Sequence, residues 1–204
     1  MINLHSATIK KFQNFDVHQH LKEHYPDLDN YVTETIKLKG NNVYKAIFRS
    51  KNIYQIVRGA VKLGTYNQEG KPFIYEVLGD GDFFGNFEYL ENKQFYEYSK
   101  TMIDCKLRVY NLDFIKRVVM DDPILTDWFI RYLVKRWCNA EKKVKMSNEK
   151  GTTEKLRYLS TYFDNKVHDY SGNEYVLFNL LTQKDLGDLI GTTRQSIAAA
   201  LEKL

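Results

Sequence analysis

Between residues 43 and 110 the chain repeats one pattern: short β-type runs closed by glycine turns. The runs are Ala46-Ile-Phe, Ile53-Tyr-Gln-Ile-Val, Ala60-Val-Lys-Leu, Phe73-Ile-Tyr-Glu-Val-Leu and Leu107-Arg-Val-Tyr. Arg58-Gly, Asn67-Gln-Glu-Gly and Gly79-Asp-Gly-Asp punctuate them. Short strands at regular spacing with glycine turns between them specify a sandwich or barrel. The turn from Asn67 to Gly70 predicts a hairpin between two amphipathic strands. The aromatic content, with 15 Tyr and 12 Phe, suits pleated surfaces of this kind.

At residue 121 the period changes to that of a helix. Asp121-Asp-Pro-Ile supplies acidic residues and a proline suited to a first helical turn. Leu125, Trp128, Phe129, Tyr132, Leu133, Arg136 and Ala140 follow at steps of three and four. The helix is expected to reach about Met146, a length of roughly 35 Å. Its stripe of Leu125, Trp128, Phe129, Tyr132, Arg136 and Ala140 is expected to be a dimer seam; the alternative is a core helix of its own domain. The polar stretch from Ser147 to Thr153 reads as a hinge around Gly151. A helix capped by Thr152 or Thr153 follows over residues 154–162. Asp169-Tyr-Ser-Gly-Asn is a turn, and Val176-Leu-Phe is an extended segment. Upstream, Phe15 to His24 leans helical until Pro26 breaks the pattern.

The last stretch, LTQKDLGDLIGTTRQSIAAALEKL, reads as two short helices. Thr182 and Asp185 form a capping-box start. Leu186, Leu189 and Ile190 make one buried face, and Gly191 provides the left-handed stop. Thr192 or Thr193 caps the second helix, whose Ile197, Ala200, Leu201 and Leu204 face inward. Arg194, Gln195, Ala198 and Ala199 lie opposite. Such a pair is either an ordinary αα-hairpin or a helix-turn-helix that presents its second helix to a major groove. In the latter case Arg194 suits guanine, Gln195 suits adenine, and Thr193 and Ser196 suit phosphates.

Charge by itself does not point to nucleic acid. Net charge is +4. Residues 131–150 carry seven basic and two acidic side chains, whereas residues 151–204 carry six and seven. Other classes fit poorly. The two cysteines, Cys105 and Cys138, lie in no CxxC, as expected of a reduced, cytoplasmic protein without an iron–sulfur cluster. No apolar run approaches the roughly 20 residues of a membrane span. The opening MINLHSATIKKF lacks the pattern of a secretory signal. In VHQHLKEH, His20 and His24 could pair on a helix, but two ligands hold a metal poorly; a solvated helix face is the plainer reading. Gly79-Asp-Gly-Asp has no lysine to cradle a phosphate. No nucleophile–base constellation stands out, so neither an enzyme nor a cofactor or metal site is expected.

Three stretches together resemble the Crp/Fnr family of bacterial transcription regulators. IVRGAVKLGTYNQEGKPFIYEVLGDGDFFG, Ile56 to Gly85, is similar to that family's effector-domain hairpin and glycine turn. DDPILTDWFIRYLVKRW, Asp121 to Trp137, is similar to its dimerisation helix, and Leu181 to Leu204 to its DNA-reading helix pair. The resemblance implies an α+β protein: a jelly-roll-like β-roll of the cyclic-nucleotide-binding type over residues 1–120, a dimerisation helix over 121–148, and a winged helix-turn-helix over 149–204. It implies a cytoplasmic homodimer on a palindromic double-stranded DNA operator, with RNA polymerase as a further partner and no membrane. Thr192, Thr193, Arg194, Gln195, Ser196, Ala199 and Lys203 are the expected DNA contacts. The family's wing would follow Leu204, so the wing is expected to be truncated or absent.

The departures are chemical. Members that bind cyclic AMP have Gly-Glu where this chain has Gly85-Asn86-Phe87, and an Arg-Ser/Thr-Ala step where it has Phe95-Tyr-Glu-Tyr-Ser99. Burying a cyclic phosphate without a paired cation is costly, so cyclic AMP is not the expected effector. The dimer-helix residues that would touch the base, Asn139, Ala140 and Glu141, do not match either. Phe83, Phe84, Gly85, Asn86, Phe87, Tyr96, Tyr98 and Ser99, with Tyr89 and Phe95 nearby, either line an apolar effector site or fill the roll. The family's Arg-Glu reading pair stands here as Arg194-Gln195, and a second arginine found in many members is Ala199. A dimeric sensor or scaffold that has lost DNA binding is the alternative function.

Overall fold

The computed structural model describes residues 15–45, 51–86 and 97–204. The opening stretch MINLHSATIKKF, the expected strand Ala46-Ile-Phe, and Phe87, Tyr89, Phe95 and Tyr96 lie outside the described residues.

Two four-stranded antiparallel sheets form a roll. The first orders β1 (Val32–Lys37), β8 (Cys105–Asn111), β3 (Asn52–Arg58) and β6 (Phe83–Phe84); the second orders β2 (Asn42–Lys45), β7 (Tyr98–Thr101), β4 (Val61–Tyr66) and β5 (Pro72–Leu78). The expected hairpin is present between β4 and β5. Asn67 Oδ1 accepts from the amides of Glu69 and Lys71 and so closes the turn. Strands β1 and β7 carry polar residues at most positions and gave no clear alternation in the sequence. Their pairing partners β8 and β4 hold them in place.

Between the sheets lie Tyr54, Ile56, Val61, Leu63, Leu78, Phe84, Cys105 and Leu107. Complete burial of a side chain such as Leu107 contributes about 1.5–3 kcal/mol. Gly59 is essential to this packing: its φ is +135°, and an added Cβ would stand 2.3 Å from Cys105 Sγ. No side chain fits there.

The outer faces are covered as well. Ile53, Phe83 and Tyr110 of the first sheet pack under α1 (Val17–His24), α2 (Leu112–Asp121) and the start of α3 (Pro123–Ser147). Helix α3 runs for 25 residues, as its sequence period indicates, and begins on Asp122. The Asp122 side chain accepts from the Ile124 amide at 2.8 Å and pairs with His20 Nε2 at 2.7 Å. The His-rich stretch thus ties α1 to the start of α3.

The second sheet is covered by the C-terminal part. This comprises α4 (Thr152–Tyr162), a small hairpin of β9 (Lys166–His168) and β10 (Glu174–Val176), then α5 (Gln183–Ile190) and α6 (Arg194–Leu201). Ile74, Val77, Met102 and Ile103 share one core with Leu156, Leu159, Leu186, Ile190 and Ile197. Polar contacts fix the register. Lys62 Nζ reaches Asp185 Oδ1 at 2.7 Å, and the Ile74 amide donates to Asp188 Oδ2 at 3.2 Å. Among the described residues, no helix is long and apolar enough to cross a membrane.

Burial alone would raise the Asp185 carboxyl, but hydrogen bonds from Lys62 and Thr182 outweigh it and hold it below the usual range. A carboxyl lowered by folding stabilises the protein above its unfolded pKa, and that contribution is lost as pH falls through the folded value. Lys62→Met should therefore destabilise the protein by about 1–3 kcal/mol at pH 7. In denaturant titrations, the gap between variant and parent should close below about pH 4.

Candidate functional site

The C-terminal helix pair is built by its caps. Thr182 Oγ1 accepts from the Asp185 amide, and Asp185 Oδ2 accepts from the Thr182 amide, each at 3.1 Å. This reciprocal box starts α5. Gly191 ends it at φ 68° in the left-handed region. Thr193 then caps α6 by accepting from the Ser196 amide at 3.2 Å. The turn is tight because Gly187 has no side chain: an added Cβ would meet the Thr192 carbonyl oxygen at 2.8 Å. Gly187 belongs to the site and the sequence reading missed it, because a glycine inside a helical period looks like a mere weakness.

Ile197 and Ala200 face inward. Thr193, Arg194, Gln195, Ala199 and Lys203 are exposed, and Thr192 and Ser196 are half-buried. Thr192 to Ser196 therefore cluster at the start of α6, Ala199 is exposed further along it, and Lys203 lies beyond its far end. Two of them have local tasks: the Thr193 and Ser196 hydroxyls lie 3.0 Å apart within the cap. Arg194 Nε donates to Gln183 Oε1 at 3.3 Å, which steadies the guanidinium at the start of the helix. Gln183 is a second residue the sequence reading passed over.

Helix α3 corrects the expected seam. Leu125 and Phe129 are buried in the chain's own core, and Trp128 and Tyr132 pack against Phe83 at ring-centroid distances of 5.0 and 6.0 Å. The Tyr132 hydroxyl donates to the Phe83 carbonyl. Arg136 is half-buried on the same side, and Ala140 is exposed. The aromatic stripe fills the roll's outer face. The large apolar residues of α3 left bare are Ile124, Ile130, Leu133, Val134, Trp137 and Val144. Ile130, Val134, Trp137 and Val144 follow steps of four, three and seven, the spacing of a coiled-coil seam.

The ring-rich region of the roll divides by strand parity. Phe84 points inward and stacks on Tyr54 at 5.2 Å, and Tyr54 stacks on Tyr44 at 5.5 Å. Ser99 is fully buried and its hydroxyl accepts from the Tyr44 amide at 3.2 Å. Phe83 and Tyr98 point the other way: Phe83 lies under α3, and Tyr98 lies beside Tyr66 at 5.6 Å. Gly85 has φ +124° and follows β6, and Asn86 is half-buried. Of the eight expected pocket residues, Phe87 and Tyr96 lie outside the described residues, and the other six do not converge on one cavity. Those that face inward fill the roll.

The buried ionisable group of this region is one the sequence reading did not single out. Glu97, 6% exposed, precedes β7 and accepts hydrogen bonds from the Tyr44 and Tyr75 hydroxyls. Burial pushes its carboxyl up to about 7, opposed only in part by the Arg136 charge.

Residues 38–122 match the family described as the cyclic nucleotide-binding domain. A CRP-like cAMP-activated global transcriptional regulator of Mycobacterium tuberculosis is 20% identical over 167 residues, which span 80% of this chain and 73% of that protein. Among solved structures, FixK2 from Bradyrhizobium japonicum aligns with TM-score 0.68 and 18% identity, over 85% of this chain and 84% of that one. A cyclic nucleotide-binding domain containing protein from Listeria monocytogenes aligns with TM-score 0.69 and 17% identity, over 92% and 88%.

Glu97 gives the roll a pH signature. A carboxyl raised by folding binds its proton more tightly in the native state, so stability falls as pH rises from about 4.5 to the folded value near 7. Thermal unfolding between pH 5 and 8 should show this decline in the parent. Glu97→Gln, neutral throughout, should flatten it.

Proposed function

We propose that this chain, Crp/Fnr-like in sequence and fold, is a homodimeric, sequence-specific DNA-binding transcription regulator whose effector is not cyclic AMP. The observation that carries the reading is the end of α6. Arg194 and Gln195 stand exposed on a capped helix start, on the face that the shared core leaves free. A helix presented this way enters a major groove with its first residues toward the base edges. Arg194 would take guanine O6/N7 and Gln195 would take adenine. Thr192, Ser196 and Lys203 would contact the backbone. RNA polymerase is the further partner that the resemblance implies, in the cytoplasm.

A second copy supplies the second half-site. Its natural seat is the bare stripe of α3, where Ile130, Val134, Trp137 and Val144 would meet the same residues of the partner helix across a two-fold axis. Successive major grooves lie about 34 Å apart, so the angle of each reading head against its long helix decides whether both fit. Residues 1–120 would sense, 121–148 would pair and 149–204 would read. Gly151, at φ +89° just before α4, is the joint at which a small rotation changes the spacing.

Electrostatics weigh against cyclic AMP. Among the described residues, the ionisable side chain beside the roll's inner rings is the Glu97 carboxyl, held by two phenols, and the Arg136 charge offsets its burial only in part. A cyclic phosphate there would need a cation to offset its burial. One observation favours a second reading. Residues 151–204 carry six basic and seven acidic side chains, a weak footprint for a DNA reader. A dimeric sensor without DNA binding would explain that balance.

Selection from random duplex DNA at low salt separates the two readings. The parent should enrich a two-fold symmetric site, and Arg194→Ala should lose a guanine in each half-site with about 1–3 kcal/mol of affinity. A sensor without DNA binding would enrich nothing. The seam is checked separately: Trp137→Glu should sediment as a folded monomer at concentrations where the parent is a dimer.

A further inference from the structure

Past Gln195, the outward face of α6 is nearly bare. Between Gln195 and Glu202 the exposed residue is Ala199; Ser196, Ala198 and Leu201 are half-buried, and Ile197 and Ala200 are buried in the shared core. Gln195 and Ala199 stand four residues apart and so lie one above the other on one side of the helix. No side chain longer than a methyl group is exposed on that middle turn. A helix trimmed in this way can approach the floor of a groove closely. It is also held in a fixed place. Thr193 caps its start, Gly187 and Gly191 tighten its turn from α5, and Ile197 with Ala200 anchors it from beneath.

The chemistry of that face differs from the chemistry of its start. Arg194 and Gln195 carry polar forks that match guanine and adenine edges. Alanine has neither a donor nor an acceptor, so it cannot tell bases apart by hydrogen bonds. The major groove displays one apolar feature, the C5-methyl group of thymine. At about 1.5 Å per residue, Ala199 stands about 6 Å beyond Gln195 along the axis, which matches about two base pairs spaced about 3.4 Å apart.

We propose that Ala199 is a specificity-determining residue that reads the C5-methyl group of a pyrimidine, thymine in ordinary DNA, about two base pairs from the adenine taken by Gln195. The inference rests on the reading of α6 as a helix that enters a major groove. Packing one methyl against another removes apolar surface from water and releases no counterion. The contact therefore adds selectivity without a cation, in keeping with the six basic and seven acidic side chains of residues 151–204. It also makes the site responsive to cytosine methylation, because 5-methylcytosine presents the same methyl group.

The test uses the full chain and the duplex that it selects. Each thymine of one half-site, on either strand, is replaced in turn by deoxyuridine, which lacks only the methyl group. One such position should weaken binding of the parent about fourfold. The loss should be the same at low and at high salt, since no phosphate contact changes. Ala199→Gly should bind the thymine and deoxyuridine duplexes alike at that position. If glycine loosens the helix, it weakens both duplexes equally, so the comparison still decides. A C·G pair placed there should bind more weakly than T·A, and 5-methylcytosine should recover part of the loss. The inference is overturned if the selected site holds no fixed thymine, if the parent binds every deoxyuridine duplex as tightly as the thymine duplex, or if Ala199→Gly shows the parent's full loss. Each of these leaves selection through Arg194 intact. Failure of the DNA-binding reading looks different: no duplex is selected, and both fall together.

Discussion

Each sheet of the roll carries large apolar residues on its outer face as well as its inner one, and that constraint organises the rest of the molecule. Tyr54, Ile56 and Leu107 face inward, while their neighbours Ile53 and Tyr110 face out. On the other sheet, Leu78 faces in and Ile74 and Val77 face out. A sheet that is apolar on its outer side cannot be left to water, since each large side chain so exposed forfeits about 1.5–3 kcal/mol. The first sheet is covered by α1, α2 and the beginning of α3. The second is covered by the helix pair. The helix pair is therefore not a bead on a string: it is the roof of the second sheet.

Helix α3 answers the same constraint with two faces. Leu125, Trp128, Phe129 and Tyr132 close the first sheet, so the helix leaves the roll at a fixed angle. Once it has passed the roll, the face turned away from it carries Ile130, Val134, Trp137 and Val144. The side facing back carries Arg136 and Lys143, held against β5 and the Tyr75 carbonyl. One helix thus supplies a core face, an apolar face open to a partner, and a charged face.

The sequence revealed those elements whose signal is local. The Asn67 turn, the capping box at Thr182, the left-handed Gly191 and the long period of α3 all depend on neighbours within a few residues, and each stands where it was expected. The seam was misread for a physical reason. Periodicity tells which residues share a helix face but not what that face meets, and the most aromatic stripe belonged to the roll. Strand parity defeated the pocket reading in the same way: Phe83 and Phe84 are adjacent in sequence and point into different cores. Glu97 and Gly187 left no trace in the sequence because their importance comes from groups far along the chain or across a turn. Glu97 matters through Tyr44 and Tyr75, and Gly187 through the Thr192 carbonyl.

The shared core under the helix pair bears on how such proteins can be recombined. Leu186 and Ile190 are complementary to Ile74 and Val77, and Asp185 is complementary to Lys62. A helix pair transplanted from a relative would arrive with a face cut for a different sheet. A working chimera would have to carry the outward residues of β4 and β5 along with the helix pair. The natural unit of exchange is thus a discontinuous patch, and a seam placed at residue 148 would cut through it.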